Sequence, residues 1–190
     1  MSAPHELSLT ELTRLLRSRE LGAREVVEDH LARIEQVDPT INAVVTVVAE
    51  EALAAADRAD ELAASGAELP ALHGVPMTHK DTLATRGIRT TLGSPVLADQ
   101  VPDRTDLVIQ RLWDAGVICT GKNNVPEFAA GSHTFNPVFG ATRNPYDPER
   151  SVGGSSGGAS ATLAARVQAL ADGSDMGGSL RNPAAWCNVV

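Results

Sequence analysis

Two short apolar segments, each leading into a lysine, place the tightest constraint on how this chain can fold. Residues 72–79 end at Lys80, and residues 117–120 lead through Gly121 into Lys122. A helical pattern ended by a glycine comes directly before the second segment, and this order is typical of α/β folds. The sequence therefore predicts an α/β protein in which a buried strand delivers a lysine at its end.

The first 65 residues are predicted to form a scaffold that is mainly helical. Ser8 and Glu11 have the S-x-x-E spacing of a capping box, in which each side chain satisfies a backbone N–H of the other. Asp38-Pro39 is expected to stop the second helix, because proline disrupts a helix interior. The predicted elements are helices from the capping box to about residue 22, over 23–37 and over 49–65, a strand over 41–48, and a later helix capped by Thr105 and reaching Trp113.

Composition and charge exclude several classes of protein. Hydrophobic residues make up 43% of the chain, which argues against disorder. With 16 basic and 24 acidic residues the net charge is -8, so we expect no nucleic-acid binding. No apolar run approaches the ~20 residues that cross a bilayer, and residues 1–9 have no leader pattern. Cys119 and Cys187 lack the spacing of a disulfide framework or metal site, so we expect reduced and buried thiols, no metal, no cofactor and a cytoplasmic protein.

The glycine- and serine-rich residues 151–160, SVGGSSGGAS, have two interpretations. Their composition fits a flexible linker, whereas the helical pattern that follows and a second Gly-Gly-Ser at 177–179 fit a functional loop. A phosphate-binding loop is excluded, because Gly158 is followed by Ala159 rather than by lysine. A serine-hydrolase elbow at Ser155 is excluded as well, because its partner histidine follows the serine in sequence and all five histidines here precede it.

Serine chemistry without histidine leaves lysine as the base. A serine hydroxyl needs a group that takes its proton, and a neutral lysine can do so. Lys80 follows an apolar strand, where burial favours the neutral amine. Lowering a lysine pKa from ~10.4 to near neutrality corresponds to about 4 kcal/mol. The alternative is a solvated Lys80–Asp81 pair at a strand end, and the residues by themselves leave both open.

Five motifs together resemble those of the amidase signature family. They occur in the family's order and cover nearly the whole chain, and the spacing from Ser155 to Ser179 is also that of the family. The motifs are LHGVP before Lys80-Asp81, GKNNVPEF from Gly121, TRNP from Thr142, GGSSGG from Gly153, and DMGGSLR from Asp175. The resemblance implies an α/β fold with a mixed β-sheet core surrounded by helices.

The resemblance also implies roles for particular residues. Ser179 would be the nucleophile, Lys80 the base, and Ser155 the bridging serine of a Ser–cis-Ser–Lys triad, with a cis peptide bond between Gly154 and Ser155. Backbone N–H groups would form the oxyanion hole, and an ion pair expected to be buried would order the nucleophile loop. The oxyanion-hole residues are Met176, Gly177, Gly178 and Ser179 itself, and the supporting residues are Ser156, Asp175 and Arg181.

Two neighbours of this set have open roles. His79 occupies a position that is usually apolar in the family. Either it alters the pKa of Lys80 as a second titratable group, or it is a hydrogen-bonded bystander. Trp113 is expected to belong to the core rather than to contact substrate.

The domain of this family is considerably longer than 190 residues. The resemblance therefore implies that residues 1–190 are the N-terminal portion of a single domain, with a helical region over 1–65 and a catalytic core segment over 66–190. Such a portion lacks strands of the sheet and is incomplete at its C-terminus. An exposed sheet edge invites pairing, so we expect a homodimer or pairing with the missing C-terminal portion.

The implied function is an amidase that hydrolyses C–N bonds of small-molecule carboxamides through an acyl-enzyme. Two alternatives stay open: the amidase subunit of a tRNA-dependent amidotransferase, which sends ammonia to a partner site, and an inactive fragment. The sequence DGSDM at 172–176 is similar to that of stand-alone amidases of the aryl-acylamide or cyclic-oligoamide type. On this ground the sequence favours the stand-alone amidase.

Overall fold

The computed structural model describes residues 3–190. Within this range helices alternate with short strands, and 3₁₀ turns lie at Pro4–Glu6, Pro95–Leu97 and Glu127–Ala129. The α-helices are α1 (Leu9–Ser18), α2 (Ala23–Ile41), α3 (Ala49–Ala64), α4 (Leu107–Asp114), α5 (Gly157–Ala164) and α6 (Arg181–Trp186). The strands are β1 (Val44–Val47), β2 (Pro76–Lys80), β3 (Ile118–Asn123), β4 (Phe135–Asn136) and β5 (Gly140–Ala141).

A three-stranded mixed sheet lies at the centre of the chain. β3 is the middle strand; β1 pairs with it antiparallel and β2 pairs with it parallel. The predicted α/β fold with a mixed sheet is therefore confirmed. Every residue of β2 is buried, although this strand lies at an edge of the sheet. In the parallel register His79 lies opposite Lys122 and Lys80 opposite Asn123, so the two lysines point to opposite faces of the sheet.

Two apolar clusters hold the helices to the sheet. Ser8 caps α1 by accepting the Glu11 N–H at 3.3 Å, which confirms this half of the predicted capping box. Burial of small and branched side chains lets α1, α2 and α3 pack closely over the strands. The first cluster contains Leu12, Leu16, Ala23, Val26, Val27, Ala52, Ala56, Val75 and Ile118. The second joins α2, β1, α5 and the C-terminal end through Ile34, Ile41, Ala43, Val44, Val152, Ala161, Ala165, Val167 and Cys187.

Three predicted helix boundaries are wrong, for local reasons. α1 ends at Ser18 rather than near residue 22, because Arg19 takes the left-handed conformation that ends the helix. α2 continues through Pro39 to Ile41, because the proline enters only in its last turn and the Asp38 carboxylate accepts the N–H groups of Ala43 and Val44 beyond it. α4 begins after Asp106 rather than after Thr105. The prediction of two buried thiols is half right: both cysteines are free, but only Cys187 is buried and Cys119 is partly exposed.

Two loop segments fold back onto the sheet near the ends of β2 and β3. The buried amine of Lys122 donates to the Leu83 carbonyl at 2.5 Å and to the hydroxyls of Thr85 and Thr90 at 2.8 and 3.1 Å. The long segment after β3 forms the small antiparallel pair of β4 and β5, and the Asn136 amide ties it to the Val125 carbonyl at 2.7 Å. These contacts hold irregular chain in place around the sheet edge from which Lys80 extends.

Candidate active site

The amine of Lys80 forms the centre of a buried polar cluster. Lys80 is the last residue of β2 and has no exposed surface. Its Nζ lies 2.9 Å from each of three hydroxyl oxygens, those of Ser155, Ser156 and Ser174. An ammonium can donate to all three, and a neutral amine can accept from one, because a serine hydroxyl serves as donor or acceptor. The alternative of a solvated lysine at a strand end is therefore wrong.

The glycine- and serine-rich segment is packed, and the linker interpretation is wrong. Residues 152–160 are all buried, and α5 begins within the segment at Gly157. A Cβ atom on Gly158 would lie 2.4 Å from the backbone nitrogen of Asn124, and one on Gly157 would lie 2.2 Å from the Thr134 hydroxyl oxygen. Glycine is needed at both positions because other segments of the same chain lie this close to them. The peptide bond between Gly154 and Ser155 is cis, as the resemblance implied.

Burial changes the acid–base behaviour of Lys80. Removal from water disfavours the ammonium form, while the charges of Asp172 and Asp175 favour it. Burial is the larger effect and lowers the pKa of Lys80 to about 8. A measurable fraction of neutral amine is therefore present at physiological pH, beside the serine hydroxyls.

Two residues of this cluster were missed by the sequence analysis. Asp172 accepts the Lys80 backbone N–H at 2.7 Å and lies 2.6 Å from His79 Nδ1, and Ser174 contacts the Lys80 amine. Both lie in the DGSDM sequence, which indicated a subgroup of proteins but not a contact. No spacing pattern points to them, because they reach Lys80 across more than 90 residues of sequence.

The predicted nucleophile lies beside this cluster but is not bonded into it. The Ser179 carbonyl accepts the Ser156 N–H at 3.0 Å, which links the two Gly-Ser loops. Within residues 3–190, the Ser179 hydroxyl has no hydrogen bond to Ser155 or to Lys80. The structure thus joins Lys80 to Ser155 directly and brings Ser179 next to them only through its backbone.

The loop before Ser179 is organised by one carboxylate. Asp175 accepts the N–H groups of Gly178, Leu180 and Arg181 at 2.7, 3.0 and 3.2 Å and pairs with the Arg181 guanidinium at 2.9 Å. The Arg181 contact, with these N–H groups, holds the pKa of Asp175 well below its usual range. The expected ion pair is present, but its burial was predicted wrongly: the Arg181 side chain is 74% exposed, because α6 places it on the surface.

An open cleft of about 510 Å³ lies over the two serine loops. Ser155 and Ser179 both line it, and so do Met176, Gly177 and the exposed Phe128 ring. The Gly178 N–H is already donated to Asp175, whereas the N–H groups of Met176 and Gly177 have no partner among the described residues. Both serines and these two residues line the cleft, so a carbonyl group placed in it would lie near all four.

Two other kinds of feature are absent from the described part of the chain. Across residues 3–190, no group of three or more histidine, cysteine, aspartate or glutamate side chains is placed to hold a metal ion. In the same range, no helix combines the length and hydropathy that crossing a membrane requires.

Comparisons with known proteins place the chain in a family. The family model described as Amidase matches residues 25–190. A glutamyl-tRNA(Gln) amidotransferase subunit from Prochlorococcus marinus (strain MIT 9303) is 50% identical over 97% of this chain and 38% of its own length. A bacterial aryl acylamidase of the amidase signature enzymes is 36% identical, with a TM-score of 0.93, over 98% of this chain and 39% of that chain. A 6-aminohexanoate cyclic dimer hydrolase is 34% identical with a TM-score of 0.87, over 96% of this chain and 37% of that chain.

The coverage is unequal on the two sides of each comparison. The chain is matched over nearly its whole length, yet it spans about 38% of the length of the curated relative. The match of the family model over residues 25–190 covers most of the chain and shows the family. The chain belongs to the amidase signature family.

Proposed function

We propose that this chain carries the catalytic residues of an amidase that hydrolyses the C–N bond of small-molecule carboxamides through an acyl-enzyme. The observation that carries the proposal is the 2.9 Å contact between the buried Lys80 amine and the Ser155 hydroxyl. It supports a proton relay, because the amine is partly neutral at physiological pH and Ser155 lines the same cleft as Ser179. Lys80 is the base, Ser155 the bridge and Ser179 the nucleophile.

The proposed relay first carries a proton from Ser179 to Lys80 and then returns a proton from Lys80 to the leaving amine. Ser179 Oγ attacks the carbonyl carbon while its proton passes to Ser155 and the Ser155 proton passes to Lys80. The carbonyl electron pair moves onto oxygen, and collapse of this intermediate breaks the C–N bond as the same relay returns a proton to the leaving amine. Water then attacks the ester carbonyl while the relay takes its proton. Collapse breaks the ester C–O bond, releases the carboxylic acid and returns the proton to Ser179 Oγ. The Ser179 hydroxyl must turn toward Ser155 in the first step, since the two are not hydrogen-bonded in the structure.

The oxyanion is proposed to lie against the loop that precedes Ser179. Met176 and Gly177 line the cleft, and their backbone N–H groups, which have no partner among the described residues, are the proposed donors. Removal of one such donor typically costs about 3–4 kcal/mol of transition-state stabilisation. Gly178 belongs to the predicted set, but its N–H donates to Asp175 at 2.7 Å. Its contribution therefore requires that this bond weaken as the negative charge forms. Ser156, Asp175 and Arg181 support the two loops by the contacts described above.

A fluorophosphonate probe tests the proposal. The purified chain is expected to be labelled at Ser179, and the Ser179→Ala variant is expected to be unlabelled. Ser174→Ala is a matched control, because it removes a nearby hydroxyl that has no proposed covalent role. A folded parent chain that takes up no label would support the inactive-fragment alternative and contradict the proposal.

A second candidate is the amidase subunit of a tRNA-dependent amidotransferase. The 50% identity to the Prochlorococcus amidotransferase protein favours it, whereas the DGSDM sequence favours a stand-alone amidase. Assays with p-nitroacetanilide and with glutamine separate the two. Release of p-nitroaniline by the chain without a partner supports the stand-alone amidase. Ammonia release from glutamine that appears only when partner proteins are added supports the amidotransferase role.

The proposal extends to how the chain is organised. We propose that residues 1–65 and 66–190 form the N-terminal portion of one longer domain, acting in the cytoplasm. The share of the curated relative's length that the chain covers supports a portion of a longer domain. Phe128, Phe135 and Trp186 are exposed aromatic side chains. Exposed apolar surface of this kind supports pairing with the rest of the domain or with a second copy of the chain.

A further inference from the structure

On the side of β2 that has no neighbouring strand, side chains accept the backbone N–H groups. This strand lies at the edge of the sheet, so alternate backbone N–H groups point away from β3. The Thr78 N–H donates to Gln168 Oε1 at 2.8 Å, and the Lys80 N–H donates to Asp172 Oδ1 at 2.7 Å. Asp172 is thereby fixed to the backbone of the residue that carries the amine.

The second oxygen of Asp172 ends a chain of hydrogen bonds that begins at Trp113. The indole N–H of Trp113 lies 3.1 Å from His79 Nε2, and His79 Nδ1 lies 2.6 Å from Asp172 Oδ2. The His79 side chain has no exposed surface and the Asp172 side chain is 7% exposed. Water therefore does not compete for these bonds, and each polar atom depends on its protein partner.

The indole donor determines the protonation of His79. Burial acts to lower the pKa of the ring, whereas Asp172 and the Cys119 sulfur act to raise it. A doubly protonated ring would place the Nε2 proton against the indole N–H of Trp113, which can only donate. The indole contact therefore favours a neutral ring that accepts from Trp113 and donates from Nδ1 to Asp172.

The charged groups around Lys80 differ in how they are held. Asp172 and Asp175 approach it from the segment before α6, and both favour its ammonium form. On its own strand end, Asp81 is turned away to the Thr91 hydroxyl at 2.6 Å. On β3, the Lys122 amine points to the opposite face of the sheet. Asp172 is the charge that is bonded directly to the backbone of Lys80.

We propose that His79, oriented by Trp113, is a positioning residue that holds the Asp172 carboxylate aimed at the end of β2, so that the Asp172 charge sets the balance between ammonium and amine at Lys80. The catalytic meaning of this inference rests on the proposed function, because it matters for turnover only if Lys80 is the base. The simpler explanation is that Asp172 and Gln168 only close a strand edge. The two explanations differ in whether the lysine titration responds to the Asp172 charge.

Lysine-selective ¹³C labelling at Cε reads that titration directly, because the chain holds only two lysines, Lys80 and Lys122. The signal missing from Lys80→Arg belongs to Lys80. The Lys122 signal serves as a control within the same chain, since its amine is buried among acceptors of a different loop. Spectra are recorded from pH 6 to pH 11 on the whole chain, without substrate or probe.

Asp172→Asn removes the charge but keeps an oxygen for the Lys80 N–H. It is expected to lower the Lys80 midpoint by about one pH unit, which is the lower end of the effect of a nearby opposite charge. His79→Asn keeps an N–H donor close to the position of Nδ1 and is expected to match the parent. His79→Leu removes the donor that holds the Asp172 carboxylate toward β2, so the carboxylate is free to turn away, and the Lys80 midpoint is expected to fall in the same direction as in Asp172→Asn.

An unmoved Lys80 midpoint in folded Asp172→Asn overturns the proposal, and equal midpoints in His79→Asn and His79→Leu overturn the part played by His79. If His79→Leu loses the Lys122 signal through unfolding, Trp113→Phe replaces it. Without the indole donor, the imidazole ring is expected to become protonated at a higher pH than in the parent, and an unchanged ring titration overturns the orientation by Trp113.

The experiment separates this inference from the proposed function. A chain that shows the Asp172→Asn shift but takes up no fluorophosphonate keeps the inference about charge and loses the proposed catalysis. A chain that is labelled at Ser179 while Lys80 ignores Asp172 loses only the inference. A parent in which Lys80 titrates near the ordinary lysine value overturns the inference, because no buried amine is then present for Asp172 to act on.

Discussion

The Ser156 N–H donates to the Ser179 carbonyl at 3.0 Å, which joins two loops that are 23 residues apart in sequence. The same Ser156 places its hydroxyl 2.9 Å from the Lys80 amine. One serine therefore connects the strand that carries the proposed base to the loop that carries the proposed nucleophile. A disturbance of either loop is expected to reach both groups.

Gly158→Ala is expected to destabilise the fold by about 1–3 kcal/mol, the usual range for overpacking. The new Cβ would lie 2.4 Å from the Asn124 nitrogen, a backbone atom that cannot turn aside. Gly177→Ala is the matched control, because a Cβ there meets nothing within 4 Å. Urea unfolding followed by circular dichroism measures both, and equal midpoints would contradict the close packing described for α5.

Lys80→Ala is expected to slow labelling of Ser179 by at least about 100-fold, since general-base catalysis contributes 10²–10⁴-fold. Lys80→Arg is expected to be as slow, although it keeps the positive charge, because arginine is not deprotonated in proteins. Fluorophosphonate labelling rates at pH 8 measure both variants. Labelling of folded Lys80→Ala at the parental rate would show that another group takes the Ser179 proton.

The labelling rate of Ser179 is expected to rise with pH and to level off above about pH 8. The pKa of Lys80 is lowered to about 8 by burial, and the reactive form is the neutral amine. Below this pH the ammonium dominates and the rate falls about tenfold for each pH unit; above it the amine dominates. Rates measured from pH 6 to pH 10 test the sign, and a rate that falls as pH rises across this range would exclude an amine base.

Lys122→Met is expected to destabilise the chain by about 2–3 kcal/mol without removing a catalytic group. The Lys122 amine satisfies the Leu83 carbonyl and the Thr85 and Thr90 hydroxyls, and its loss leaves buried polar groups unpaired. Lys80→Met provides the comparison for labelling, which it is expected to abolish. Thermal unfolding and labelling at a temperature where both variants are folded distinguish the structural lysine from the proposed base.

Asp175→Ala is expected to lower the labelling rate of Ser179 more than Arg181→Ala does. Asp175 orders three backbone N–H groups around Ser179, whereas the exposed Arg181 guanidinium is one of several partners of that carboxylate. Exposed ion pairs contribute little to stability, so Arg181→Ala is expected to unfold close to the parent. Equal labelling rates in the two variants would show that the ion pair, rather than the N–H contacts, orders the loop.

Much of the local structure follows from local sequence. The cap at Ser8, the helix start at Ala23 and the helix start at Ala49 agree with the sequence analysis, because caps and apolar spacing act over a few residues. The end of α2 does not agree, because the Asp38 carboxylate accepts the N–H groups of Ala43 and Val44 at the start of β1 and the helix continues past Pro39. The expected burial of the Asp175–Arg181 pair was also wrong, since exposure depends on how α6 packs.

The candidate site likewise has features that follow from the sequence and features that only the tertiary structure shows. From residue types and motif order alone, the sequence determined the family and the mixed α/β fold, because these depend on which residues recur at which spacing. It also supplied Lys80, Ser155 and Ser179 as the proposed catalytic residues. Only the tertiary structure revealed Asp172 and Ser174 at Lys80 and the chain of hydrogen bonds through His79. The contacts of Asp172 and Ser174 join residues more than 90 positions apart, and burial, which lowers the pKa of Lys80, exists only once the loops pack around β2.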